Sequence, residues 1–176
     1  MSAGTDVDLA AVRQAVEDVA DPELPPVTLG MLGMVHDVRV EGDEVFVELL
    51  PTFTGCPATD LMGQDVTAAV ERVAGVAAVH VRFRYDPPWT ARRISDAGHE
   101  ALREFGIAPP GGDLPDAPRA QGRMALPLAM GPTSVRPCPF CGSEDTLQDS
   151  AFGPTPCRDL RWCNGCSQPF EAFKDL

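Results

Sequence analysis

The sequence predicts an α/β fold, a small three-stranded sheet packed with helices, followed by a linker and a small metal-stapled domain. Three observations carry that expectation. Apolar residues alternate at period two in three short segments and recur at helical spacing in three others. Seven prolines and four glycines fall within residues 108–137, too many for a packed element. Beyond them stand two C-x-x-C pairs with 21 residues between.

Leu9, Val12, Val16 and Val19 share one face of a first helix. Asp6 and Asp8 flank its start, where the helix dipole favours acids, and Asp21-Pro22 is expected to end it. Asp21-Pro22-Glu23-Leu24-Pro25-Pro26 reads as a rigid connector that also carries two carboxylates on a stiff loop. Residues 35–40 and 44–50 are strand patterns joined by Glu41-Gly42-Asp43, hence a hairpin. Leu61, Met62, Val66, Ala69, Val70 and Val73 predict a second helix that ends near Gly75. Val79, Val81, Phe83 and Tyr85 alternate with His80, Arg82 and Arg84, a strand half buried and half solvated. Asp86-Pro87-Pro88-Trp89-Thr90 breaks it, with Trp89 expected to pack in the turn or, alternatively, to line a site near Cys56. Ser95 can cap a last helix, and Gly106 can stop it in the left-handed region. The first domain thus covers residues 1–108, the linker 109–135 and the second domain 136–176. Within the linker, residues 124–130 form an apolar island, suited to covering a neighbouring domain or docking on a partner.

Cys56 lies in the stretch Pro51-Thr52-Phe53-Thr54-Gly55-Cys56-Pro57, between a strand pattern and a helix pattern. Pro57 suits the first helical position, which makes Cys56 the expected N-cap. Its sulfur would then lie near backbone N–H groups that favour a thiolate, able to act as nucleophile or soft-metal ligand. The competing reading is a small buried apolar cysteine, and residue type with turn context leaves both open.

The chain of 176 residues carries a net charge of −12, which disfavours nucleic acid as a partner because phosphates need a basic footprint. Met1–Asp8 is acidic and polar, unlike a secretory signal, and no apolar run approaches bilayer length. A cytoplasmic protein with no membrane or nucleic-acid partner is expected. Six cysteines in that compartment point to metal or redox chemistry rather than disulfides. The three histidines are dispersed and read as surface or packing residues.

Cys138, Cys141, Cys163 and Cys166 form the two pairs, and four thiolates in a closed tetrahedron suit structural zinc. The gap between pairs is slightly long and needs a hairpin to absorb it. Some 40 residues bury too little apolar surface to fold alone, so the ion would supply folding energy, with Phe170, Phe173 and Trp162 packing around it. Cys157 is a fifth cysteine there: a bystander, a substitute ligand or a second reactive thiol.

These motifs together resemble a known protein type. Asp21-Pro22-Glu23-Leu24-Pro25, Thr54-Gly55-Cys56-Pro57 and Asp86-Pro87-Pro88-Trp89 resemble the MIP-type (domain of unknown function 59) family of iron–sulfur assembly factors. The Gly106–Pro110 stretch and the tail from Cys138 through Phe152-Gly153-Pro154-Thr155-Pro156-Cys157 to Phe170-Glu171-Ala172-Phe173-Lys174 extend the likeness to PaaD-type accessory proteins of bacterial phenylacetate degradation. The resemblance implies an accessory protein of the phenylacetyl-CoA epoxidase, a di-iron oxygenase with a [2Fe–2S] reductase, that assembles or repairs an iron or iron–sulfur centre. It implies no intrinsic catalysis. Cys56 becomes the thiolate handling iron or cluster, Asp21 and Glu23 become members of its site, and Thr54 shapes its turn. One cysteine cannot hold a cluster alone, so binding would be transient, shared with a second copy of the chain, a client or a small thiol. A homodimer is therefore expected, with the oxygenase and/or reductase as partners. Two departures stand out: Met31-Leu32-Gly33 lacks the acid the family usually carries before Leu-Gly, and Ala91-Arg92-Arg93-Ile94 lacks a second tryptophan. The alternative function is a non-catalytic structural subunit or adaptor of the epoxidase complex. A thiol pair of Cys56 and Cys157 is a third possibility.

Overall fold

The computed structural model describes residues 7–111 and 135–174, so most of the linker and its apolar island lie outside the described residues. The chain forms two units, one running to Phe105 and the other starting at Gly106.

In the first unit, helix α1 (Leu9–Glu17) starts where the Asp8 carboxylate accepts the Ala10 N–H at 2.9 Å. Val12 and Val16 are fully buried. The helix stops four residues before Asp21, because the backbone finds other partners: Val19 and Glu17 carbonyls accept the N–H groups of Leu29 and Gly30. The expected connector is therefore an antiparallel hairpin, β1 (Ala20–Asp21) with β2 (Leu24–Thr28). Pro25 and Pro26 are tolerated on this exposed two-stranded ribbon, where no central ladder needs their missing N–H.

Strands β3 (Val35–Glu41), β4 (Glu44–Leu49) and β5 (Ala78–Phe83) form the three-stranded sheet in that order. β3 and β4 are the expected antiparallel hairpin, with Gly42 at φ 69° in its tip. β4 and β5 are parallel, joined through helix α2 (Thr59–Val70). Parallel neighbours require such a crossover. Val45, Val47 and Leu49 are fully buried, and α1 and α2 pack on each other and on β3 and β5. Helix α3 (Asp96–Glu104) is capped by Ser95, whose hydroxyl accepts the Gly98 N–H at 3.1 Å, and it packs on β2.

Gly106, at φ 83°, leads into the second unit. Its sheet has the order β6-β9-β8-β7, from β6 (Ile107–Ala108), β7 (Thr146–Ser150), β8 (Arg158–Cys163) and β9 (Gln168–Phe173). β6 pairs in parallel with β9, a long-range contact that no local pattern announces. Phe170 and Phe173 are buried as expected, but Trp162 is 40% exposed. Strand alternation explains the difference: Cys163 faces the other three clustered cysteines, so Trp162 must face away. Ion pairs join buried Arg158 to half-buried Glu171 at 2.6 Å, and buried Arg161 to buried Asp159 at 3.0 Å.

Candidate metal centre and cysteine loop

The two C-x-x-C pairs form two turns that face each other. In the first, the Cys138 N–H donates to the Ser143 carbonyl and the Gly142 N–H to the Cys138 carbonyl, both at 2.9 Å, with Gly142 at φ 74°. In the second, Cys163 closes β8 and the turn to β9 passes through Ser167 at φ 56°. The β7–β8 hairpin takes up the long gap between the pairs. The four sulfurs lie within 4.8 Å of one another, with Cys138 to Cys166 at 3.8 Å and Cys141 to Cys163 at 3.5 Å. An ion with metal–sulfur bonds of about 2.3 Å requires sulfurs about 3.8 Å apart in a tetrahedron, so the donor set fits a four-thiolate centre.

Burial and the neighbouring thiols push the Cys166 thiol up to about 12. Burial also works against ionising Cys163, but the Cys166 N–H and the adjacent thiols bring it down to about 7. Packed thiols thus ionise unequally, and a divalent cation removes the conflict by drawing out all four thiolates. Cys157 stands outside this group: its sulfur lies 3.2 Å from the Thr155 hydroxyl, and its carbonyl accepts the Lys174 N–H. None of the six cysteines is disulfide-bonded.

In the first unit, the loop at residues 51–58 leaves the carboxyl end of β4. The segment after β5 leaves the same end, because β4 and β5 are parallel. The turn before β3 joins them there: Leu50 N–H donates to the Met34 carbonyl at 2.8 Å and Arg84 N–H to the Leu49 carbonyl at 2.7 Å. In open α/β sheets this carboxyl edge is where ligands bind. The buried Trp89 indole N–H donates to the Leu32 carbonyl at 2.8 Å, and Arg93 donates to the Gly33 and Val35 carbonyls. Sequence reasoning assigned Trp89 to packing but had no signal for its partner, which is 57 residues away.

Cys56 is half-buried on this loop, and Thr54 is exposed beside it. The expectation that Cys56 caps α2 is corrected. The helix begins at Thr59 with Ala58 at the cap position and no side-chain cap. The backbone closes a turn first: Cys56 N–H donates to Phe53 O at 3.1 Å, and the Thr59 hydroxyl donates to Cys56 O at 3.2 Å. Pro57 consequently precedes the helix.

Asp21 and Glu23 are half-buried on the β1–β2 hairpin. One Asp21 carboxylate oxygen accepts the backbone N–H groups of Glu23 at 2.8 Å and Leu24 at 3.1 Å, which shapes the hairpin tip. The four first-domain candidates therefore sit on two loops, Thr54 and Cys56 on one, Asp21 and Glu23 on the other.

Comparison with known proteins adds to this geometry. Residues 9–81 match the model of a family described as iron–sulfur cluster assembly protein, and residues 127–174 match the PaaD zinc beta ribbon domain. A protein of Escherichia coli (strain K12), described as the putative D component of a 1,2-phenylacetyl-CoA epoxidase, is 35% identical over 159 residues, 90% of this chain and 88% of its own. The Fe-S protein maturation auxiliary factor of Porphyromonas gingivalis (strain ATCC BAA-308 / W83) is 38% identical over 98 residues, 54% of this chain and 89% of its own. Among solved structures, the domain of unknown function DUF59 from Bacillus anthracis is 30% identical, covers 53% of this chain and 90% of its own, and superposes with a TM-score of 0.50. Because the likeness to the Escherichia coli protein runs through both units instead of stopping at the assembly domain, the chain belongs to the PaaD family.

Proposed function

We propose that this protein is a cytoplasmic accessory factor of phenylacetate degradation that assembles or repairs an iron or iron–sulfur centre of the phenylacetyl-CoA epoxidase. One observation carries the proposal. In a chain of the PaaD family, a half-buried cysteine outside any disulfide lies on the loop at the carboxyl edge of the parallel strands. Iron or a cluster is cargo in this scheme. The Cys56 thiolate takes it, Thr54 shapes the turn that presents it, and the Asp21–Glu23 hairpin contributes carboxylates. A [2Fe–2S] centre needs four protein ligands, so the rest come from a second copy of the chain, as in a homodimer, or from the client.

Zinc is the ion proposed for Cys138, Cys141, Cys163 and Cys166. When bound, it supplies folding energy to a unit with a small apolar core, in which Ala108, Phe170 and Ala172 cluster with the cysteines. The ribbon then serves to dock the oxygenase or the reductase.

Anaerobic purification with the client proteins, followed by iron analysis and Mössbauer spectroscopy of wild type and Cys56→Ser, tests the proposal. Loss of client iron or cluster in the variant, with the ribbon's zinc retained, is the expected outcome. Unchanged client iron and epoxidase activity would instead establish an adaptor. The commitment of Asp21 to backbone N–H groups favours that second reading, since it gives the acid a structural task.

A further inference from the structure

In the second unit, strand register sets three apolar side chains side by side. Leu147 of β7 pairs with Trp162 of β8, and Trp162 pairs with Pro169 of β9. Residues directly opposite on adjacent antiparallel strands share a face, with Cβ atoms about 5 Å apart. Leu147, Trp162 and Pro169 therefore form one continuous row, on the face opposite Cys163 and the buried Phe170. Leu147 is 58% exposed and Trp162 40%, and Pro169 is exposed as well. The next rung is polar. The Asn164 N–H donates to the Asp145 carbonyl and the Asn164 side-chain amide to the Asp145 carboxylate, both at 2.9 Å. That pairing fixes the Asp145 charge at the end of the row. Exposed Glu144 precedes it, and exposed Asp149 follows Leu147 by two residues.

A single apolar side chain on a solvated strand face is ordinary and needs no partner. Here three stand in register across three strands, and the central one is a tryptophan. A tryptophan framed by smaller contacts is the usual form of an interface hot spot. The charges around the row select what can cover it. The described residues of this unit contain four cations. Arg136, Arg158 and Arg161 are buried, and the last two are paired with Glu171 and Asp159. Lys174 donates to the Pro156 carbonyl and lies over the Phe152 ring. It follows Phe173, which pairs with Arg158 at the far end of the strands from the row. Glu144, Asp145 and Asp149 meet no cation among the described residues. Three uncompensated carboxylates and no exposed cation thus border the row. That border repels phosphate, so Trp162 is a poor platform for nucleic-acid bases or an anionic membrane. A second copy of the chain in a two-fold contact would set the same three acids against their own counterparts. A protein segment with large apolar side chains between lysines or arginines matches both features.

We propose that the Leu147–Trp162–Pro169 row docks a basic, apolar segment of a partner protein, with apolar side chains on the Trp162 ring and cations toward Glu144, Asp145 and Asp149. The proposal rests on the docking role given to the ribbon above and names its surface; it does not depend on Cys56.

The full chain, loaded with zinc and labelled with fluorotryptophan, carries two fluorine reporters, Trp89 and Trp162. It would be titrated with the peptide Ac-Lys-Leu-Phe-Leu-Lys-NH2 at low salt. A saturable shift of the Trp162 resonance is expected, with Trp89 unmoved. Ac-Glu-Leu-Phe-Leu-Glu-NH2 has the same apolar centre and should bind about tenfold more weakly, a difference that added salt should shrink. Leu147→Ser should weaken binding of the basic peptide by about tenfold, with zinc content unchanged. Glu144→Gln combined with Asp149→Asn leaves the apolar row intact and should bring the two peptides closer in affinity. Cys56→Ser should bind as wild type, which separates this result from the fate of the cluster proposal. An absence of a saturable shift, equal affinity for the two peptides, the same shift on raising protein concentration without peptide, or a Trp162 resonance that ignores exchange of H2O for D2O would each overturn it. Equal binding of the purified epoxidase components to wild type and Leu147→Ser would leave the ribbon's docking role standing and overturn this surface. Binding to neither would remove the docking role and this proposal with it.

Discussion

Replacing Glu48 with glutamine removes one charge and little volume from the first unit. In the native chain the Arg84 and Arg82 hydrogen bonds hold the Glu48 carboxyl at about 2, against an ordinary 4.5. Taken whole, a shift of that size corresponds to about 3 kcal/mol. The guanidiniums face solvent, so screening reduces this to about 1–2 kcal/mol. The folded-state value lies below the unfolded one. The stabilisation is therefore complete above the unfolded value near pH 4.5 and is lost as pH falls toward 2. Urea unfolding reports it through Trp89, buried in the first unit, in a Trp162→Phe background that silences the ribbon. With a slope of about 1 kcal/mol per molar urea, Glu48→Gln should lower the midpoint by about 1–2 M at pH 7. The gap should shrink by more than half by about pH 3. A gap that stays constant between those pH values, or none at neutral pH, would refute the claim that Glu48 is a stabilising charge.

Gly33 and Gly42 both have positive φ, 62° and 69°, but a Cβ on Gly33 would sit 2.2 Å from the Arg93 carbonyl oxygen, whereas Gly42 has open space. Gly42→Ala should cost about 1 kcal/mol and Gly33→Ala about 3 kcal/mol or more in the same urea assay. Cys163→Ser should lower bound metal from about one ion per chain to a small fraction and abolish the ribbon's strand signal in circular dichroism, with the first unit still folded. Adding zinc to chelator-treated protein near pH 7 should release at least two protons in a pH-stat, from Cys141 and Cys166, whose thiols are held above their ordinary value. Zinc affinity should accordingly rise with pH.

The spacing of the two C-x-x-C pairs, the β3–β4 hairpin tip and the Ser95 cap were legible because each is a short-range pattern in which neighbouring residues share one local geometry. Cys56 marks the limit of that legibility. Its strand–turn–helix context was readable, but the exact helix start was not, because a single turn closed by Phe53 and Thr59 shifted the cap by two residues. The β1–β2 hairpin was hidden for a related reason. Its prolines mimic a connector, and only the distant carbonyls of Glu17 and Val19 reveal where the returning chain is held.

The sequence by itself determined the fold class, the two-part organisation and the four converging sulfurs, since periodicity and cysteine spacing act over a few residues. Tertiary structure alone decided that β6 joins β9, that Trp162 faces outward, and that Glu48 lies beneath arginines 34 and 36 residues away. Those outcomes depend on which strands become neighbours and in what register, a choice settled by burying the whole chain at once.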